Sequence, residues 1–389
     1  MIQRLTIILS CLAALTGLGV QAEGDAAGPD FVALDGDQLG RLVDAHTSER
    51  IGELLADIAS LGSRVPGAGN LPKTADWLSE RIEQAGWEVL PRQPFRLAVP
   101  VDTGSELTYR RDDGVEMRVR LHPVWPNRTL CPFIPGGGLR AELVYVGDGD
   151  LSDFDGHEAF APGAGVDAVA LMEYDSGVHW ETAAMLGARA GVFLPDADAT
   201  ARENDNKFAS SPVQVPRFYV ADETAADELR EQAEQGGSVT IAGGMQWQNR
   251  VFENVLALLP ATESPETAET LLVTVRYDAG SVVPGASPGG QSAATLAAAV
   301  TVMETLADPG LRLRRRQNVL VMFEAARSVC YAGSRALSAV LQDVHAQWLA
   351  EWSRGADVPA VMETPLSKVK GMEPWIDRRL RAHRLRHGR

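Results

Sequence analysis

Apolar residues at Leu39, Leu42, Val43, Ile51, Leu54, Leu55 and Ile58 recur at helical spacing and stop at Gly62, which predicts a first helix. A second helix is predicted from Pro72 to Gln84, closed by Gly86, and Trp87–Val101 then reads as a strand. From about Arg140 the texture changes to short apolar runs, AELVYVGDG, AVALMEY, AGVFLP and VPRFYVA, separated by Gly and Asp turns. A short helix around Trp180–Ala188 and a longer one over Ala221–Gln235 interrupt them. From Asn254 onward the runs NVLALL, LLVTVRY and NVLVMF alternate with helices at Gln291–Ala307 and from Gly333 to about Trp352. Near-continuous apolar strands belong to sheets covered on both faces. The pattern predicts an α/β core with a mixed sheet between helices, built from residues 38–134 and 246–353, with a β-rich α+β insert at 135–245 and a tail at 354–389.

On helix Gln291–Ala307, Leu296, Val300, Met303 and Leu306 share one face and are expected to pack on the sheet. Trp247, Trp348, Trp352 and Trp375 are assigned to packing rather than to a binding box.

The 389-residue chain is 45% apolar and 23% charged, an ordinary globular composition. A net charge of −16 sets it against phosphate backbones, so nucleic acid is not the expected partner. Residues 1–22 carry Arg4, an apolar run from Leu5 to Val20 and small residues at Val20 and Ala22, the form of a secretory signal peptide. The run is short for a bilayer span, so the mature chain is expected in the periplasm or medium with no integral membrane segment. Cys131 and Cys330 then remain, and both are read as buried free thiols, with Cys330 no nucleophile because no G-x-S-x-G elbow or suitably placed histidine surrounds this region. The last 13 residues, Asp377–Arg389, hold six arginines and one aspartate and are read as a solvated basic tail.

The segments LGSRVPGAGN with the helix after it, AELVYVGDG, AAMLGARAGVFL and VPRFYVA, and then NVLALLP, LLVTVRYD, VPGAS and NVLVMFEAARSVCYAGS resemble, in this order, the secreted zinc aminopeptidases of metallopeptidase family twenty-eight that carry a protease-associated domain insert. The likeness spans roughly residues 48–340. It implies an aminopeptidase-like core, a protease-associated module at 135–245, and a two-zinc site in which a glutamate takes a proton from metal-bound water.

The positions that resemble the family's ligand motifs do not keep its residues. The resemblance calls for His-x-Asp at a strand end, where this chain has Arg276-Tyr277-Asp278; arginine has no lone pair for a metal. It calls for a bridging aspartate where Ser287 stands, followed here by Pro288, and it implies a cis bond that proline would make cheap. Counting back from Gly333-Ser334, the general base and a further ligand fall on Arg327 and Ser328, with Glu324 the nearby rescue. Downstream, Asp343, His345, Glu351, Asp357, His383 and His387 have no matching context, and the core looks shortened at its C-terminal end. The expectation is therefore no zinc, no catalytic residue, and a binding role for Arg276, Asp278, Ser287, Glu324 and Arg327 toward a peptide or protein ligand, with an anion favoured by the arginines. Three other readings stay open: drift, in which the arginines merely fill space; an active aminopeptidase releasing N-terminal residues through other ligands; and an incomplete core with exposed strand edges.

Overall fold

A computed structural model describes residues 37, 40, 41 and 47–352, apart from 162, 197–202, 210–211, 266–267, 288 and 312–313. The expected leader, the start of the first helix near Leu39, the tail with His383 and His387, and the Ser287–Pro288 bond all lie outside the described residues.

Helix α1 (Ser48–Ser60) begins where the Thr47 hydroxyl accepts the Arg50 N–H at 3.3 Å. Helix α2 (Leu71–Gln84) has Pro72 in its first turn, where a missing N–H costs nothing. Strand β1 (Glu88–Asp102) follows and runs antiparallel to β9 (Met245–Leu259) along almost its whole length, from Glu88 opposite Leu258 to Asp102 opposite Met245. Strand β11 (Asn318–Glu324) lies on the other side of β9, and β10 (Thr270–Arg276) pairs parallel to β11, giving a mixed four-stranded sheet in the order β1-β9-β11-β10.

Both faces of this sheet are covered at β9 and β11, whereas among the described residues the expected cover is missing at the edge strand β10, where Leu272 and Thr274 are exposed. Val255, Ala257, Leu259, Val319, Val321 and Phe323 join one apolar cluster with Leu54 and Ile58 of α1, Leu78 and Ile82 of α2, and Leu296, Val300, Met303 and Leu306 of α6 (Gly290–Ala307). The alternate residues, Leu256, Leu258, Leu320 and Met322, are buried outside that cluster. Helix α7 (Ala332–Trp352) packs against β1 and β9. Period-two alternation with burial on both sides is why β9 and β11 read as unbroken hydrophobic runs.

Between β1 and β9 the chain builds a closed barrel. Its strands are β2 (Ser105–Arg110), β3 (Glu116–Pro123), β4 (Leu139–Tyr145), β5 (Ala168–Glu173), β6 (Ala190–Leu194), β7 (Arg217–Tyr219) and β8 (Ser238–Ala242), in the order β2-β3-β7-β6-β5-β4-β8. Strands β4 to β7 are parallel neighbours, and β2, β3 and β8 close the ring with antiparallel pairs. Helix α3 (Trp180–Met185), the single turn α4 (Glu203–Asn206) and α5 (Glu223–Glu234) complete the module. The insert boundary expected at residue 135 is thus corrected: hydrogen bonding draws 105–123 into the barrel, because Leu107, Tyr109, Val119 and Leu121 point into its core while charged neighbours point out.

The barrel sits on the core through the loop after β10. Trp125 N–H donates to the Val282 carbonyl at 2.6 Å, and Val282 and Val283 pack with Val124, Phe160 and Trp180. Gly67, in the loop between α1 and α2, has φ +100° and lies against β1: a Cβ there would come within 2.1 Å of the Pro100 carbonyl oxygen. Among the described residues no helix is long and apolar enough to cross a membrane.

Candidate functional site

Strands β10 and β11 end side by side, with Arg276 opposite Glu324 in the parallel register. The two following loops cross-link there. Ser328 donates its backbone N–H and its hydroxyl to Oδ2 of Asp278, at 2.9 and 2.5 Å, and the Arg327 backbone N–H also donates to this carboxylate. The Asp278 side chain is fully buried, and Arg276 Nε stands 3.9 Å from its Oδ1. Burial pushes the Asp278 carboxyl above the usual range, with the Ser328 bonds and the Arg276 charge opposing that shift. Glu324, equally buried, accepts from Ser334 N–H at 2.9 Å and lies 3.7 Å from Arg327 Nη1. Arg327 also stacks over the Tyr331 ring at 5.0 Å.

Four of the five expected binding residues, Arg276, Asp278, Glu324 and Arg327, are thus brought together, along with Ser328. Ser287 is used differently: it follows the turn Pro284–Ala286, and its hydroxyl accepts the Gly289 N–H at 3.2 Å, shaping the entry to α6. Cys330, expected to be buried, is exposed, and Cys131 is half-buried; both are free thiols. The reason is the loop's backbone, which holds Ala326, Cys330 and Tyr331 at φ 52°, 52° and 55° and turns the last two side chains outward.

Sequence reasoning passed over Arg64, which lies in LGSRVPGAGN and is completely enclosed. Its guanidinium donates to the carbonyls of Ile58, Tyr277 and Gly289 and to Ser292 Oγ, at 2.9 to 3.3 Å. Burial lowers its pKa against the opposing pull of Asp278. One side chain therefore ties the α1–α2 loop to the end of β10 and the start of α6. The only signal in the sequence is a charged residue inside a Gly/Pro loop.

Beside the strand ends lies a cleft of about 270 Å³ between barrel and core, lined by Val65, Gly280, Ser281, Val282 and Ser328 on one side and Trp125, Asn204 and Phe208 on the other. The barrel wall rests on buried charge. Arg217 stacks over Trp180 at 4.3 Å and donates to the carbonyls of Lys207 and Trp125. Lys207, with no exposed surface, lies 5.0 Å from the rings of both Tyr174 and Phe193 and pairs with Glu203 at 3.3 Å. Burial lowers the pKa of Lys207, and takes that of Arg217 down to about 10. This lattice fixes Trp125, Asn204 and Phe208, and Phe208 stays exposed between the buried Lys207 and Ala209.

No protein-family profile matches the chain, and no curated protein does. Solved structures similar to it include an aminopeptidase, a zinc aminopeptidase and a peptidase of the M28 family. An aminopeptidase from Aneurinibacillus sp. strain AM-1 is 18% identical with a TM-score of 0.39, over 78% of this chain and 67% of that one. The zinc aminopeptidase of Bacillus subtilis is 16% identical with a TM-score of 0.45, over 72% and 61%. A peptidase M28 precursor from Shewanella amazonensis SB2B is 15% identical with a TM-score of 0.48, over 77% and 69%. The chain spans 61–69% of the length of these proteins.

The strand-end side chains do not fit a pair of zinc ions. Zinc takes imidazole, thiolate or carboxylate donors. Here one oxygen of each buried carboxylate is hydrogen-bonded by backbone N–H groups, and the other, Oδ1 of Asp278 and Oε2 of Glu324, has no hydrogen bond and faces a guanidinium that repels a cation. Among the described residues no three His, Cys, Asp or Glu side chains gather where they would hold a metal.

Proposed function

We propose that this chain is an exported, non-catalytic relative of the zinc aminopeptidases that uses the cleft beside β10 and β11 to bind a peptide or a peptide-like segment of a protein. The barrel is read as the protease-associated module of that architecture. What supports the reading is the state of the two buried carboxylates: backbone N–H groups take one oxygen of each, and the oxygen left without a hydrogen bond, Oδ1 of Asp278 and Oε2 of Glu324, faces an arginine rather than an open site for a metal or a water. The cleft alongside supports binding, because it combines apolar walls with a few placed polar groups.

The test is metal content by mass spectrometry on exported protein equilibrated with zinc and desalted, run beside hydrolysis and binding of a mixed peptide pool. The expected result is less than stoichiometric zinc, no trimming and measurable retention of peptides. One or two zinc ions held tightly, with release of N-terminal residues, would replace this reading with that of an active aminopeptidase.

A further inference from the structure

The charge around the cleft assigns a direction to its ligand. Three guanidinium groups, Arg64, Arg276 and Arg327, stand against two carboxylates, Asp278 and Glu324, within a chain whose overall charge is −16. The carboxylates are closed to solvent, while the side chains of Arg276 and Arg327 are 30% and 35% exposed. Their ionic contacts, at 3.9 and 3.7 Å, are longer than hydrogen bonds, and Arg276 Nε is buried without a hydrogen bond. A peptide's ammonium end entering here would meet positive charge and no open acid. A carboxylate would meet two forks shaped for it.

Gly280 connects this charge to the cleft. It lines the cavity, and a Cβ built on it would lie 3.8 Å from Arg276 Nη2 and 3.4 Å from the Ser328 Cβ. The glycine therefore puts no side chain between the cavity and the Arg276 guanidinium, which lies behind the lining. Beyond it, Val65, Val282, Trp125 and Phe208 offer apolar surface for one side chain, and Ser281 and Asn204 offer polar atoms for an amide. A volume of about 270 Å³ lies just below the range of about 300–1,000 Å³ usual for small-molecule pockets, a size for a short stretch of peptide.

We propose that the cleft binds the free C-terminal end of a peptide, the α-carboxylate on Arg276 and Arg327 and the last side chain between Trp125 and Phe208. The assignment rests on the binding reading above and adds the ligand's polarity to it. It is opposite in direction to the handling of a free amino terminus.

The experiment is calorimetric titration of the full mature chain with four forms of the tripeptide Ala-Ala-Phe: free at both ends, N-acetylated, C-amidated, and blocked at both ends. The two forms with a free carboxylate are expected to bind at least tenfold more tightly than the two amides, whether or not the amine is acetylated. Arg276→Gln is expected to erase that preference. Gly280→Leu, at a backbone position that accepts a side chain, is expected to block all four forms with an unchanged melting temperature. Arg276→Lys, which keeps the charge beside Asp278 but not the fork, is expected to retain part of the preference and guards against a folding defect. Equal binding of acids and amides overturns the polarity and leaves a peptide-binding site. Binding that depends on the free amine also overturns it. Failure of all four forms to bind removes the peptide-binding reading and this inference with it.

Discussion

Ser328 gives two hydrogen bonds to a single oxygen, Oδ2 of Asp278, and so leaves Oδ1 to face Arg276 across 3.9 Å. A carboxylate in that position is a structural counter-charge. Its titration is set mainly by burial.

Because burial raises the folded-state pKa of Asp278, the folded chain holds this proton where the unfolded chain has released it. Its contribution to stability is complete below the unfolded value of about 3.9 and is lost as pH rises through the folded value. Urea denaturation at a series of pH values should therefore show the advantage of the wild type over Asp278→Asn shrinking from acid toward neutrality. An advantage that grows with pH would mean that Arg276 and the Ser328 bonds outweigh burial.

Asn254 is completely buried on β9 and donates to Gln93 Oε1 and the Gly333 carbonyl at 2.9 and 3.0 Å while accepting the Ala325 N–H at 3.1 Å. It joins β1, the loop after β11 and the start of α7. Asn254→Ala strands these partners, and at about 1–3 kcal/mol for each unsatisfied buried group the total loss should reach about 3 kcal/mol in chemical denaturation. A loss below about 1 kcal/mol would show that water replaces the side chain.

Lys207→Met removes the ion-pair partner of Glu203 among the described residues, and an uncompensated buried charge costs about 3–5 kcal/mol. Combined with Glu203→Gln the loss should be mostly recovered. A double-mutant cycle by urea denaturation measures the coupling, and additive effects would contradict a paired role for these residues.

Gly67→Ala sets a side chain against the Pro100 carbonyl at a positive φ, where strain of about 1–3 kcal/mol is expected. Ala68→Gly, one position on, serves as the comparison. A melting temperature for Gly67→Ala equal to the wild type would show that the α1–α2 loop moves away from β1 without penalty.

Much of the core could be read from one sequence, because its strands and helices carry their own periodicities. Helix α2 was expected from 72 to 84 and runs from 71 to 84; the expected helix at 291–307 begins one residue earlier. The first barrel strands fell inside the stretch 38–134 assigned to the core, and Glu106, Arg110, Glu116, Arg118 and Arg120 are interleaved with their apolar positions. The alternation of Leu107, Tyr109, Val119 and Leu121 beneath them was the available signal. Arg276, Asp278, Glu324 and Arg327 were singled out only through the resemblance, as the positions that match its ligand motifs at and just beyond the ends of β10 and β11. Arg64, Lys207 and Asn254 were not found: a buried polar residue is explained by its partners, and Arg64 meets Gly289 from 225 positions away.

The barrel leaves β1 at Asp102 and re-enters the sheet at Met245, where Thr103 N–H meets the Gly244 carbonyl at 2.9 Å. Unfolded, the intervening chain of on the order of 140 residues would have to be closed as one loop before β1 found β9. Once folded, the barrel presents both ends of that chain a few ångströms apart and acts as a tight turn. The central sheet of this protein thus inherits the alignment of its longest strand pair from a module that contributes no strand to it, and a fault in the barrel's fold should appear first as unpaired β1.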